Sequence, residues 1–230
     1  MTTSRPNIVM VHGAWMDGSS WRQVTQGLQA RAFHVRAPQF PFTSITRDLA
    51  RLRQVLQLQT GPTVLVGHCY GGQIITGLEA ATSEVAGLVY LTGFALDEGE
   101  SLADLMSRGP ATPALEHMLT DEQGFAWLSE TDYVQHLVGD VHPDTARALW
   151  ASQQPLAVSA FADVMGVPAW KSLPCWYLVA TEDEALPARV QRHWATRMRA
   201  TSADVAAGHV PVVSHPDEVT DFIASAVESL

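Results

Sequence analysis

The sequence predicts an α/β fold, a mainly parallel sheet flanked by helices with one helical insertion. Three observations carry this expectation. Short apolar, β-branched runs alternate with amphipathic segments, as successive βαβ units require. The run Thr63–Val66 leads through Gly67-His68-Cys69-Tyr70-Gly71-Gly72 directly into a helix-like stretch. The strand signal then disappears between Asp97 and Lys171 and returns afterwards.

Taken in order, Asn7–Val11 reads as a strand ending at His12-Gly13-Ala14-Trp15. Ser20–Arg31 reads as a helix with Ser19 or Ser20 as N-cap, and Trp21, Val24 and Leu28 share one face. Phe33–Arg36 is a brief strand closed by the proline-rich loop Pro38–Pro41. Ser44 caps a helix reaching Leu58, with Ile45, Leu49, Leu52, Val55 and Leu56 as its apolar stripe. Thr63–Val66 is the next strand, Gln73–Ala81 its helix, and Val85–Leu91 another buried strand. From Asp97 to Lys171 no strand is expected. Helical pieces are broken there by Pro110, Pro113, Gly124, Gly139, Pro143 and Pro155. Large apolar residues such as Leu102, Met106, Tyr133 and Phe161 suit a cap over one end of the sheet, and extra core helices are the alternative. The βα rhythm resumes with Trp176–Ala180, a helix from Pro187 to Met198, strand Ser202–Ala206 and a last helix, Pro216–Ser229. Residues 1–96 and 172–230 thus form the expected core, and 97–171 the cap.

A chain of 230 residues is long enough, as one domain, to bury roughly 70% of its unfolded surface. A net charge of −10, with Lys171 as the sole lysine, argues against nucleic acid or an anionic membrane as partner. Met1–Pro6 lacks the apolar stretch of a signal peptide, and Val85–Leu96 falls short of the roughly 20 residues that span a bilayer. The expectation is a soluble, cytoplasmic protein acting on a small-molecule substrate, with a homodimer left open. Cys69 should end one strand and Cys175 begin another, at opposite edges of a parallel sheet, so no disulfide is expected. No HExxH or CxxC occurs, and neither metal nor cofactor is expected.

Strand, sharp turn and helix, with a nucleophile flanked by glycines two residues to either side, is the nucleophile-elbow pattern. Acyl transfer at such a turn needs a nucleophile, a base, an acid that orients the base, and donors for an oxyanion. Cys69 is the candidate nucleophile, at a helix N-terminus where negative charge is favoured, and an inert buried thiol is the alternative. His209 lies on the loop after the last expected strand and is the candidate base. His215, next to Pro216, is its rival. Asp183 follows strand Trp176–Ala180 as the candidate acid, between Glu182 and Glu184, which suit solvent. Asp97 is a second candidate. Backbone N–H groups of Tyr70 and Ala14 are the candidate oxyanion hole, with His12 and His68 serving the turns that hold those donors.

With these residues in place the chain resembles the α/β-hydrolase superfamily. Within it, the branch of plant methylesterases, hydroxynitrile lyases and small bacterial esterase-like proteins is the most similar. The resemblance rests on Val11-His12-Gly13-Ala14-Trp15 with Gly18-Ser19-Ser20-Trp21, on Gly67–Gly72, on Leu178–Pro187, on Gly208-His209 and on Ser214-His215-Pro216. It implies the α/β-hydrolase fold with a helical cap, a triad at Cys69, Asp183 and His209, and oxyanion donors at Ala14 and Tyr70. Hydroxynitrile lyases of this branch carry threonine at the place of Gly13 and lysine at that of Val210, so the resemblance favours an esterase. Nearly all such elbows carry serine. A native cysteine, as in the Cys-His-Asp triad of dienelactone hydrolases, and a serine replaced to slow turnover both fit this sequence. The expected function is cofactor-free hydrolysis of a small hydrophobic carboxylic ester or lactone through an acyl-enzyme on Cys69. The alternatives are a lyase or C–C bond-cleaving enzyme on the same fold, and a catalytically silent small-ligand-binding protein.

Overall fold

Asn7–Val11 forms the first strand, β1, in a computed structural model that describes residues 5–78, 84–109 and 112–230. The chain continues through a 3-10 turn, Gly18–Trp21, into α1 (Arg22–Ala30), β2 (Val35–Arg36) and α2 (Ile45–Leu56). Next come β3 (Thr63–His68), α3 (Tyr70–Thr76) and β4 (Val85–Leu91). The insertion carries α4 (Leu102–Arg108), α5 (Pro113–Glu116), β5 (Leu119–Thr120), β6 (Phe125–Trp127), α6 (Glu130–Asp132), α7 (Pro143–Ala151), β7 (Leu156–Ala157) and α8 (Ser159–Ala162). The core resumes with β8 (Cys175–Ala180), α9 (Ala188–Arg197), β9 (Thr201–Val205), α10 (Pro211–Ser214) and α11 (Pro216–Glu228).

Six strands pair in the order β2-β1-β3-β4-β8-β9, all parallel. Every residue of β3 and β8 is buried, which explains why these strands read as continuous apolar runs instead of alternating ones. The chain winds outward from β1 to β2, then returns to β3 and runs the other way. Such a reversal opens a crevice at the carboxyl ends of the strands. Here β1 delivers the His12–Trp15 loop to that crevice and β3 delivers Cys69. Cys69 and Cys175 are free thiols, beyond the end of β3 and at the start of β8 respectively.

Several local expectations are corrected. Neither Ser19 nor Ser20 caps α1. Asp17 accepts the Ser19 N–H at 2.6 Å and its carbonyl takes the Ser20 hydroxyl at 2.7 Å, so a 3-10 turn forms first and α1 starts at Arg22. The carboxylate is the stronger acceptor. Ser44 does cap α2, accepting from the Arg47 N–H, but that helix also buries Asp48, which no apolar stripe foretells. Phe33 donates its N–H back to Leu28, so it closes α1 and leaves β2 only two residues long. The strand Thr63–Val66 extends to His68, and its helix starts at Tyr70, not Gln73. The expected end of that helix at Ala81, Pro110, and Met1–Ser4 lie outside the described residues.

The insertion is not strand-free. β5, β6 and β7 form a small antiparallel sheet. Asp121 closes the first hairpin by accepting the N–H groups of Gln123 and Phe125, both at 2.9 Å, and the Trp127 indole N–H at 2.8 Å. Gly124 supplies φ 82° beside them. Strands of two or three residues are too short to show a period in sequence. This sheet is tied to the loops above β1 and β2: Ala157 donates to the Phe42 carbonyl at 2.9 Å, and the Trp15 indole donates to the Ala126 carbonyl at 2.9 Å. Tyr133 completes the tie through its hydroxyl, 3.0 Å from the Trp15 carbonyl.

Candidate active site

Cys69 follows β3 with φ 51°, a backbone conformation that costs a residue with a side chain of the order of 1–3 kcal/mol. The strained turn is held on three sides. The Cys69 N–H donates to Leu91 at 3.3 Å, and its carbonyl accepts from Gly72 at 2.9 Å and Phe94 at 3.0 Å. The elbow glycines are a steric requirement: a Cβ at Gly67 would stand 2.6 Å from the Gly71 carbonyl oxygen, and one at Gly71 would run into the Val11 carbonyl. Trp15 and Thr92, after β1 and β4, also have positive φ, so backbone strain gathers where three strands end at the crevice.

His209 lies between β9 and α10, 2% exposed, and its Nδ1–H donates to Asp183 Oδ2 at 2.8 Å. Asp183 is fixed in turn by the N–H groups of Ala185 and Leu186 on Oδ1, at 2.8 and 2.7 Å, and by the Gln191 side-chain amide on Oδ2 at 2.8 Å. Burial by itself disfavours a charged His209. The Asp183 carboxylate and then Cys69 outweigh it and hold the ring well above the ordinary histidine value. The other ring nitrogen, Nε2, is buried without a hydrogen-bond partner among the described residues, and His209 lines the same cavity as Cys69.

The remaining candidates separate cleanly. Asp97 pairs with Lys171 at 2.7 Å, Glu184 with His136 at 2.6 Å, and Glu182 is exposed. His215 stands at the entrance of α11, 3.7 Å from Asp140. Ala14 and Tyr70 both line the cavity. A Cβ at Gly13 would stand 2.7 Å from that of Cys69, so the loop after β1 lies directly against the elbow. N–H groups in the first turn of a helix have no acceptor within the helix, which leaves that of Tyr70 free to serve an anion. The Tyr70 hydroxyl is occupied elsewhere, donating at 3.1 Å to Asp48, a carboxyl that burial pushes up to about 6.

Two supporting residues carry no signal in the sequence. Gln191 bridges Asp183, the Ala180 N–H and the Leu186 carbonyl, and Thr92 donates to the His209 carbonyl at 3.0 Å. His68 packs against the turn after β1, where a Cβ added at Gly13 would stand 2.8 Å from its Nδ1. Burial pushes it down to about 3, so the ring is neutral and its Nε2–H donates to the His209 carbonyl at 2.8 Å. His12 does hold that turn: it accepts the Phe40 N–H at 3.3 Å and donates to the Gly13 carbonyl at 3.1 Å.

The cavity over Cys69 is tight, about 20 Å³, close to the room one water needs. Apart from Cys69, Tyr70 and His209 its walls are apolar. Trp15 and Phe94 come from the core, and Leu102, Met106, Leu137 and Phe161 from the insertion. Among the described residues no three His, Cys, Asp or Glu side chains gather as a metal site, and no helix is long and apolar enough to cross a membrane.

Comparison with known proteins adds to this geometry. The sequence model of the alpha/beta hydrolase family matches residues 8–222. The chain is 26% identical to the alpha/beta hydrolase nvfD of Aspergillus novofumigatus, with 96% of each chain covered. It is 30% identical to a carbendazim hydrolyzing esterase of Nocardioides sp. over 115 residues, 44% of this chain and 48% of that one. The crystal structure of a pyrethroid hydrolase from Sphingobium faniae JZ-2 superposes with a TM-score of 0.84 at 22% identity, covering 97% of both chains.

Proposed function

Since the chain belongs to the alpha/beta hydrolase family, we propose that it hydrolyses a small apolar carboxylic ester or lactone through an acyl-enzyme on Cys69, without a cofactor. The observation that carries this reading is the buried Asp183–His209 pair, with His209 lining the same cavity as Cys69 and its Nε2 left without a partner among the described residues. The esterase and the hydrolases among similar proteins support the ester class.

In this mechanism the sulfur attacks the carbonyl carbon while its proton resides on His209 Nε2. The carbonyl oxygen becomes an anion held by the N–H groups of Ala14 and Tyr70. The tetrahedral centre collapses, the C–O bond breaks, and the leaving alkoxide takes the proton from His209. Water then attacks the thioester, giving its proton to His209, and the acid departs as the thiol re-forms. Asp183 keeps Nδ1 protonated and steadies the imidazolium. The insertion serves as a cap that keeps bulk water from the thioester.

The test is a series of chromogenic short-chain esters. His209→Ala lowers kcat by a factor of about 10²–10⁴, the usual contribution of a positioned acid–base group. In heavy-oxygen water the label enters the carboxylate product, as hydrolysis demands and a lyase reaction does not. Unchanged turnover in His209→Ala overturns the assignment.

A further inference from the structure

Outside the tight chamber lies a larger apolar groove of about 510 Å³, walled by Leu105 on α4, by Leu186 and Pro187, and by Val190 and Trp194 on α9. Phe94, Met106, Leu115 and Ala185 line both spaces, so a partition one side chain thick separates them. Met106 is an unbranched thioether 37% exposed, the kind of side chain that yields most readily to a ligand. A chamber the size of one water admits a scissile carbonyl and little more, so the bulk of any ester has to pass this partition and lie in the groove.

Arg108, in the last turn of α4, is the one charged side chain lining the groove among the described residues. It is exposed and engages no carboxylate or carbonyl among the described residues. Arg197 on α9 is by contrast spent on Glu100 at 2.8 Å. On a chain of net charge −10, a free guanidinium over an apolar trough selects for a negative group, and its planar fork matches a carboxylate.

We propose that the substrate is an ester with one compact half and one long apolar arm ending in a carboxylate. The arm occupies the groove and its carboxylate pairs with Arg108. This rests on the hydrolase reading of Cys69 and adds a class of substrate to it.

Two matched ester pairs test it: hexyl acetate against the acetate ester of 6-hydroxyhexanoate, and methyl hexanoate against monomethyl adipate. In each pair the arm differs by its terminal carboxylate, on the alcohol side in the first and on the acyl side in the second. The expected result is a kcat/KM for the carboxylate member about three- to five-fold above its partner in one pair, the size of an exposed ion pair. That ratio falls to one or below in Arg108→Gln and shrinks as salt is raised. Because the ratio is taken within one protein, any loss of folded enzyme cancels. A ratio of one in both pairs, or a ratio that survives Arg108→Gln, overturns the subsite while cleavage of the neutral esters leaves the hydrolase reading standing. If none of the four esters is cleaved, the hydrolase reading fails. Calorimetric binding of N-methyl adipamate against N-methylhexanamide, in the parent chain and Arg108→Gln, then decides the groove on its own. Preference for the adipamate that Arg108→Gln abolishes supports the carboxylate subsite, and equal binding refutes it.

Discussion

His68 illustrates how a single residue supports chemistry it does not perform. It is neutral and fully buried, and its Nε2–H meets the backbone carbonyl of His209, 141 positions along the chain. Together with Thr92 it fixes the loop that carries the base, while Asp183 fixes the ring. Removing one of these two donors misplaces the imidazole and leaves substrate contacts alone. His68→Ala therefore lowers kcat about ten-fold, the equivalent of one lost hydrogen bond, with KM little changed. His68→Gln, whose side-chain amide also donates, recovers most of that loss. Steady-state kinetics of the two variants check this, and a Gln variant no faster than the Ala variant assigns His68 to packing alone.

At the scale of elements, the insertion is latched where the chain enters and leaves it. The Arg197 guanidinium on α9 grips both Glu100 oxygens, at 2.8 and 3.0 Å, and the Ala95 carbonyl at 2.6 Å. Trp170 donates to the Leu96 carbonyl at 2.9 Å, and Lys171 pairs with Asp97 closer to solvent. Arg197→Met strips the charged partner from a half-buried carboxylate, leaving it the Asp97 N–H alone, and costs about 1–3 kcal/mol. Lys171→Met breaks an exposed pair and costs less than about 1 kcal/mol. Urea unfolding of both variants gives the order, and the reverse order contradicts this account of the latch. The same scale explains what was legible in sequence. β3, β4 and β8 announce themselves because both their faces are buried, and the glycines around Cys69 because the elbow admits no Cβ. Cys69, Asp183 and His209 could be named because each follows its strand in the expected order. The hairpin at Asp121 is too short for a period, and Gln191 and His68 act through contacts that only the folded chain creates.

For the molecule as a whole, buried titratable groups set how stability depends on pH. The rings of His12 and His68 are pushed by burial from the ordinary 6.5 down to about 4 and about 3. An unfolded chain binds protons at both below pH 6.5, and the folded chain does not until it nears those lower values. Stability is therefore lost on acidification from about 6.5 toward 4. Asp48, raised by burial to about 6, works in the opposite sense between its ordinary 3.8 and that value. His209, held above 6.5, is protonated in both states there and adds no slope. Two protons against one leave a net loss of about 1.4 kcal/mol per pH unit between about 6 and 4. Asp48→Asn removes the opposing group and steepens the decline. Urea titrations at stepped pH measure both slopes, and a parent chain that gains stability on acidification across that window contradicts the assignment.

The central claim is that the Cys69 sulfur, working with His209, takes the acyl group of an ester. Rapid-quench intact-mass analysis during turnover of an activated ester, followed by peptide mapping, tests it most directly. A single acyl group on Cys69 is expected, on oxygen in Cys69→Ser, and absent in His209→Ala. Ester turnover that persists in Cys69→Ala, or an acyl group found on another residue, contradicts it.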